Sequence, residues 1–137
     1  MATALRLRNV AIEQLNPVDR MRKLRNELSS LRPNQTAEAE NKARELLALA
    51  QQQPHDPEAS NALYRANLVL GQRALQRNDK RQAAQHLLAA SAVTPTDLLR
   101  YESVDMTLAR QLVDWGEREA VAQYLERFCA HQSGARR

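Results

Sequence analysis

Side chains able to do chemistry are few in this sequence, and their spacing keeps them apart. The three histidines, His55, His86 and His131, lie more than 30 residues from one another. None belongs to a pair spaced to grip a metal ion, such as HxxxH or CxxC. Cys129 and His131 are two residues apart, which on a helix points them to different faces. No serine stands in a nucleophile elbow, and no glycine-rich loop could cradle a phosphate. Glu117 and Glu119 read as first-turn acids of a helix, not as a general acid and its base. The expectation is therefore a protein with no catalytic residue, no metal and no cofactor.

Charge offers a second chemistry. The chain carries 20 Lys and Arg against 16 Asp and Glu, a net charge of +4. The excess is uneven. Residues 1–33 hold seven cations and three acids, residues 57–92 five and two, and residues 93–132 four and seven. Arg20, Arg22, Lys23 and Arg25 suggest phosphate contacts, so nucleic-acid binding by the basic N-terminal half is one alternative. Against it, the chain has one Phe, one Trp and three Tyr, too few for a base-stacking platform. The cations read better as a solvated helix face.

The elements that carry these residues are helices. Leu63, Ala66, Leu70 and Ala74 recur at three- and four-residue steps, then Asn78-Asp79 makes a turn, and Ala83, Leu87 and Ala90 resume the period. Gly71 costs up to about 1 kcal/mol in a helix relative to Ala, which predicts a close approach of a second helix there. Pro95 stops the second helix of the pair. The segment 108–128 repeats 70–90 at an offset of 38 residues, placing Ala109 on Gly71, Gly116 on Asn78, Ala122 on Ala84, Leu125 on Leu87 and Phe128 on Ala90. A fixed offset of this kind marks stacked helical hairpins. The pattern predicts that the last helix buries Val121, Leu125 and Phe128, with Ala122 and Tyr124 at its margins.

Earlier in the chain, Asn16-Pro17 with Asp19 is a helix start. Val18, Met21, Leu24, Leu28 and Leu31 then form an apolar stripe with two readings: a coiled-coil seam for another chain, short at fewer than three heptads, and, favoured, a face that packs on the next helix. Thr36 caps that next helix, Ala39, Ala43, Leu46, Leu47 and Ala50 give its buried face, and Pro54 ends it. Asp56-Pro57-Glu58 opens the long helix that carries Leu63, Ala66, Leu70 and Ala74. Ser103 caps the helix that carries Met106, Ala109, Leu112 and Val113. A short helix over residues 1–15 is also expected, with Leu5, Ile12 and Leu15 on one side.

Leu70, Gly71, Ala74, Ala83, Leu87, Ala90 and Pro95 match the small and large positions of a tetratricopeptide repeat (TPR), so the stretch from Tyr64 to Asp97 resembles one such repeat. Asn67 and Ala74 stand where the family carries aromatics. The string from LVLG to QYLE is similar to short bacterial TPR-like proteins. The resemblance implies an all-α fold of about three stacked antiparallel hairpins, a TPR-like α-solenoid whose first helices line a concave surface. The concave positions it implies are Arg65, Leu68, Gln72 and Gln76 in the matched repeat, and Met106, Arg110 and Asp114 in the second copy. Amides there suit a peptide backbone, Arg an acidic side chain, and Leu and Met an apolar one. The family's clamp for a C-terminal carboxylate places Lys and Asn where this chain has Leu68 and Gln72. The function implied is a non-enzymatic adaptor or scaffold that binds a peptide or protein on that face.

At 137 residues, one domain over residues 1–132 is expected, comprising N-terminal helices over 1–55, the matched repeat over 56–95 and its copy over 103–131, with a disordered tail at 133–137. The absence of alternating valine- or isoleucine-rich runs argues against a sheet. The single Cys129 cannot form an internal disulfide, which fits a reducing compartment and a cytoplasmic protein. No run reaches the roughly 18 apolar residues of a membrane span. Trp115, Tyr124 and Phe128, together with the change of charge sign along the chain, offer a further alternative, homo-oligomerisation through the last helix.

Overall fold

The computed structural model describes residues 16–31, 36–93 and 106–135, with side chains in the last helix described as far as Phe128. The expected helix over 1–15, the Ser103 cap and Pro95 lie outside the described residues, as do the side chains of Thr36, Cys129 and His131.

Six helices account for nearly all of the described chain: α1 Pro17–Ser30, α2 Thr36–Gln52, α3 Pro57–Gln76, α4 Lys80–Ser91, α5 Thr107–Asp114 and α6 Arg118–Ala135. Among the described residues there is no strand. Local chemistry sets several of the helix ends. The Asp19 N–H donates to the Asn16 side chain at 2.9 Å, with Pro17 in the first turn. Asp56 accepts from the Glu58 N–H at 2.8 Å ahead of Pro57, and Asp79 from the Gln82 N–H at 3.1 Å.

Two turns are built alike. After α3 the Asp79 N–H donates to the Ala74 carbonyl at 3.0 Å and the Asn78 N–H to the Leu75 carbonyl at 2.9 Å. After α5 the Glu117 N–H donates to the Leu112 carbonyl at 2.9 Å and the Gly116 N–H to the Val113 carbonyl at 3.0 Å. Every donor and acceptor of the second set sits 38 residues after its counterpart in the first. The pivots are Asn78 (φ 62°) and Gly116 (φ 89°), in the left-handed region that this pair of closing bonds requires and that Gly and Asn enter most readily.

The long α3 divides the interior in two. On one side Ala59, Ala62, Ala66 and Leu70 pack with Met21, Leu24 and Leu28 of α1 and with Ala43, Leu46 and Ala50 of α2. The expected α1 stripe is thus spent inside the molecule. On the other side Tyr64, Leu68, Ala74 and Leu75 pack with Ala83, Leu87 and Ala90 of α4, Leu108, Ala109 and Leu112 of α5, and Ala120, Val121, Tyr124 and Phe128 of α6. Helix α1 lies on α2 and α3, α3 on α2 and α4, α4 on α6, and α5 on α3, α4 and α6. Gly71 marks the close approach its position predicts: a Cβ there would stand 2.5 Å from a Leu108 methyl, 3.2 Å from the His86 Cβ and 3.4 Å from the Ala83 carbonyl oxygen. The turn-linked pair α3–α4 and the neighbouring α5 therefore meet at glycine distance.

The last helix is rotated from its expected register. Tyr124 is fully buried, whereas Leu125 is 39% exposed and Ala122 is exposed. The aromatic residues explain the rotation. Phe128 meets Tyr124 edge-on at 5.0 Å between ring centroids and Tyr64 at 5.6 Å, and the Tyr64 and Tyr124 hydroxyls lie 3.4 Å apart. Burying that triad encloses more area and gives the hydroxyls a shared partner, so it outweighs burying Leu125. Helix α6 also runs on to Ala135, through the start of the segment whose polar composition suggested a disordered tail.

Candidate functional site

Three of the seven concave positions come together. Gln72 and Gln76 of α3 and Asp114 of α5 line a groove of about 270 Å³ with Leu75, Gln111 and Trp115. The groove exists because α3 and α5 are neighbours whose C-terminal ends lie at the same end of the molecule, each followed by one of the two matched turns.

The other four stand apart from it. Leu68 is 3% exposed and belongs to the α3–α6 core, so its side chain is not available to a partner. It falls on the α3 side that faces α4 and α6, one helical position inside the groove. Met106 is half-buried and packs against the same core. Arg65 is half-buried, its guanidinium carbon 6.0 Å from the Tyr64 ring centroid. Arg110 is exposed on α5, one turn before Asp114. Leu75, Gln111 and Trp115 are the lining residues that the expected positions missed. A signal for Trp115 was present: it is the only tryptophan, it takes the cap position equivalent to Arg77, and it stays 41% exposed. Tyr124 and Phe128, named with it as a surface for self-association, are interior.

Elsewhere the polar groups serve the fold. Glu40, only 8% exposed, receives Arg77 at 2.7 Å, Arg44 at 2.9 Å and Arg73 at 3.0 Å. The hydrogen bond from Arg77 chiefly, aided by Arg44 and Arg73 and opposed by burial, holds its pKa at about 2. Glu58, also buried, takes Arg25 at 2.7 Å, and Lys42 pairs with Glu27 at 2.6 Å. Arg20 pairs with Glu45. These links clamp α1, α2 and α3 together.

His86 is half-buried, with Nδ1 3.0 Å from Asn67 Oδ1, while Asn67 Nδ2 donates to the Leu63 carbonyl at 2.8 Å. That second bond fixes the amide orientation, so Nδ1 is the donor to Asn67. Burial, with the nearby Arg44 charge, lowers the His86 pKa and favours the neutral ring. Asn67 is thus a polar bridge between α3 and α4. Among the described residues, no three His, Cys, Asp or Glu lie close enough to share a metal ion. Nor is any helix among them long and apolar enough to cross a membrane.

Comparison of the chain with models of protein families, with curated proteins and with solved structures finds no match in any of the three.

Proposed function

We propose that this protein is a non-enzymatic binding module, an adaptor or scaffold that takes a peptide segment of another protein along the face formed by α3 and α5. The observation that carries the reading is the groove itself: Gln72, Gln76 and Gln111 supply amides beside an exposed indole and an exposed carboxylate. Amide side chains can bond an extended backbone without regard to its sequence, and an aromatic anchor supplies contact area. We read the architecture as three TPR-like hairpins, α1–α2, α3–α4 and α5–α6. The matched turns at Asn78 and Gly116 support this, as does the adjacency of the first helices α1, α3 and α5. The lone cysteine is in keeping with a cytoplasmic setting.

The ion pairs favour a peptide over a nucleic acid. Arg20, Arg22 and Arg25 of the basic N-terminal half each face a protein carboxylate, which weakens their claim on phosphates. Self-association has one observation in its favour, the exposure of Val113, Trp115 and Leu125 at 39–41%. Light scattering over a dilution series separates it from the favoured reading, since a monomer at every concentration rejects it.

The test is selection of short peptides from a random displayed library, followed by calorimetry of the winners. Replacing Gln72 and Gln76 together by Ala is expected to weaken those peptides about tenfold while leaving the melting temperature near that of the parent. Selected peptides that bind the double variant unchanged would remove the groove from the proposal.

A further inference from the structure

We propose that Asp114 and Trp115 form a subsite for an arginine side chain of the segment held in the α3–α5 groove. The inference rests on the peptide-binding reading above and names what that peptide must carry.

Asp114 is the last residue of α5. A carboxylate there meets the negative end of the helix, an arrangement that opposes folding. Among the described residues Asp114 has no ion-pair partner, although Arg110 lies one turn earlier on the same helix. The nearest cations of α3, Arg73 and Arg77, are held on Glu40. Next to Asp114 the only indole of the chain is left 41% exposed, which also forgoes burial energy. Two adjacent side chains are therefore placed against the interest of stability, and both line the same groove. That pattern is expected where a site is kept ready for a partner.

The chemistry of the pair selects the partner. Among the described residues Asp114 is the sole ionised group lining the groove, so the groove presents negative charge. The negative helix end adds to it. A guanidinium can meet a carboxylate through two parallel N–H bonds and lay its flat face on an indole. An ammonium is a point charge that satisfies one of these contacts well. An acidic side chain in the same place would face Asp114 directly and be rejected. The three glutamines then hold the backbone on either side of the arginine.

The sole tryptophan gives a direct readout. Peptides selected on the intact protein are titrated against Trp115 fluorescence, each as its arginine form and with that arginine replaced by leucine or glutamate. The arginine forms are expected to shift the emission saturably. The leucine forms should bind about tenfold more weakly, and the glutamate forms weaker still. Asp114→Asn should cost the arginine forms about tenfold and the leucine forms little, with a melting temperature equal to or above the parent's. A purely structural Asp114 would not produce that combination. Selected peptides without a basic residue, or an Asp114→Asn protein that keeps its preference for arginine, overturn the subsite and leave the peptide-binding reading standing. If no peptide is selected at all, both fall.

Discussion

The core shared by α1, α2 and one side of α3 and the core shared by the other side of α3 with α4, α5 and α6 are built from different materials. The first is Met, Leu and Ala, and its rim is laced with ion pairs: Arg25–Glu58, Lys42–Glu27, and three arginines on Glu40. The second is centred on an aromatic triad, Tyr64, Tyr124 and Phe128. Among the described residues no ion pair ties α4, α5 or α6 to its neighbours. Arg127 instead donates to the Leu88 carbonyl at 2.9 Å and to Ser91 Oγ at 3.0 Å, at the C-terminal end of α4. The difference separates two uses of charge. In the N-terminal half opposite charges are consumed within the chain, where they set how three helices meet. In the C-terminal half packing is set by aromatic shape, and among the described residues Asp114 has no ion-pair partner.

The comparison breaks most sharply at the triad. Tyr124→Ala is expected to cost about 3–5 kcal/mol in denaturant unfolding, because it leaves a cavity between α3 and α6 and strips Tyr64 of its hydroxyl neighbour. A loss under about 1 kcal/mol would mean that the aromatic cluster does not hold the C-terminal core. Leu87→Ala, at a fully buried position, should cost about 2–5 kcal/mol.

Glu40→Gln probes the other half. It should destabilise by about 1–3 kcal/mol, since three arginines lose the carboxylate they share. Its pH dependence is more telling. The folded pKa of about 2 lies below the 4.5 of a free glutamate, so the carboxylate contributes stability above roughly pH 4.5 that is lost as pH falls toward 2. Thermal melts of parent and variant should accordingly converge over that range, and a gap that persists undiminished at the acid end would count against the cluster. The smallest effect is expected at Leu125→Ala, within about 0.5 kcal/mol, because its side chain is 39% exposed. A cost near that of Leu87→Ala would restore the register that the repeat alignment implied and contradict the aromatic one.

Much of the fold was legible in the sequence because it is local. Asn16-Pro17 and Asp56-Pro57 start helices by chemistry confined to a few residues, and Asn78 and Gly116 announce left-handed turns by residue type alone. The site was legible only in part. Gln72, Gln76 and Asp114 follow from the positions that the repeat resemblance implies, and Leu75, Gln111 and Trp115 do not, because such positions describe an average helix pair and not the crossing of α3 with α5 here. Leu68 was misplaced for the same reason: a helical wheel locates a residue to within one position, and one position separates groove from core. The Glu40 cluster was invisible, since its members come from α2 and α3 and are up to 37 residues apart.

By itself, then, the sequence determined that the chain is helical, where several of its helices start and stop, and that two of its turns are equivalent. Those outcomes follow from backbone sterics, capping hydrogen bonds and the 3.6-residue period, which act within a turn or two. Tertiary structure alone decided that Tyr124 and not Leu125 turns inward, that Glu40 gathers three arginines, and that Trp115 stays at the surface beside Asp114. A helix with more apolar positions than one face can hide has no internal reason to choose among them. The choice falls to whichever neighbours can enclose the larger area and satisfy the polar atoms carried in with it.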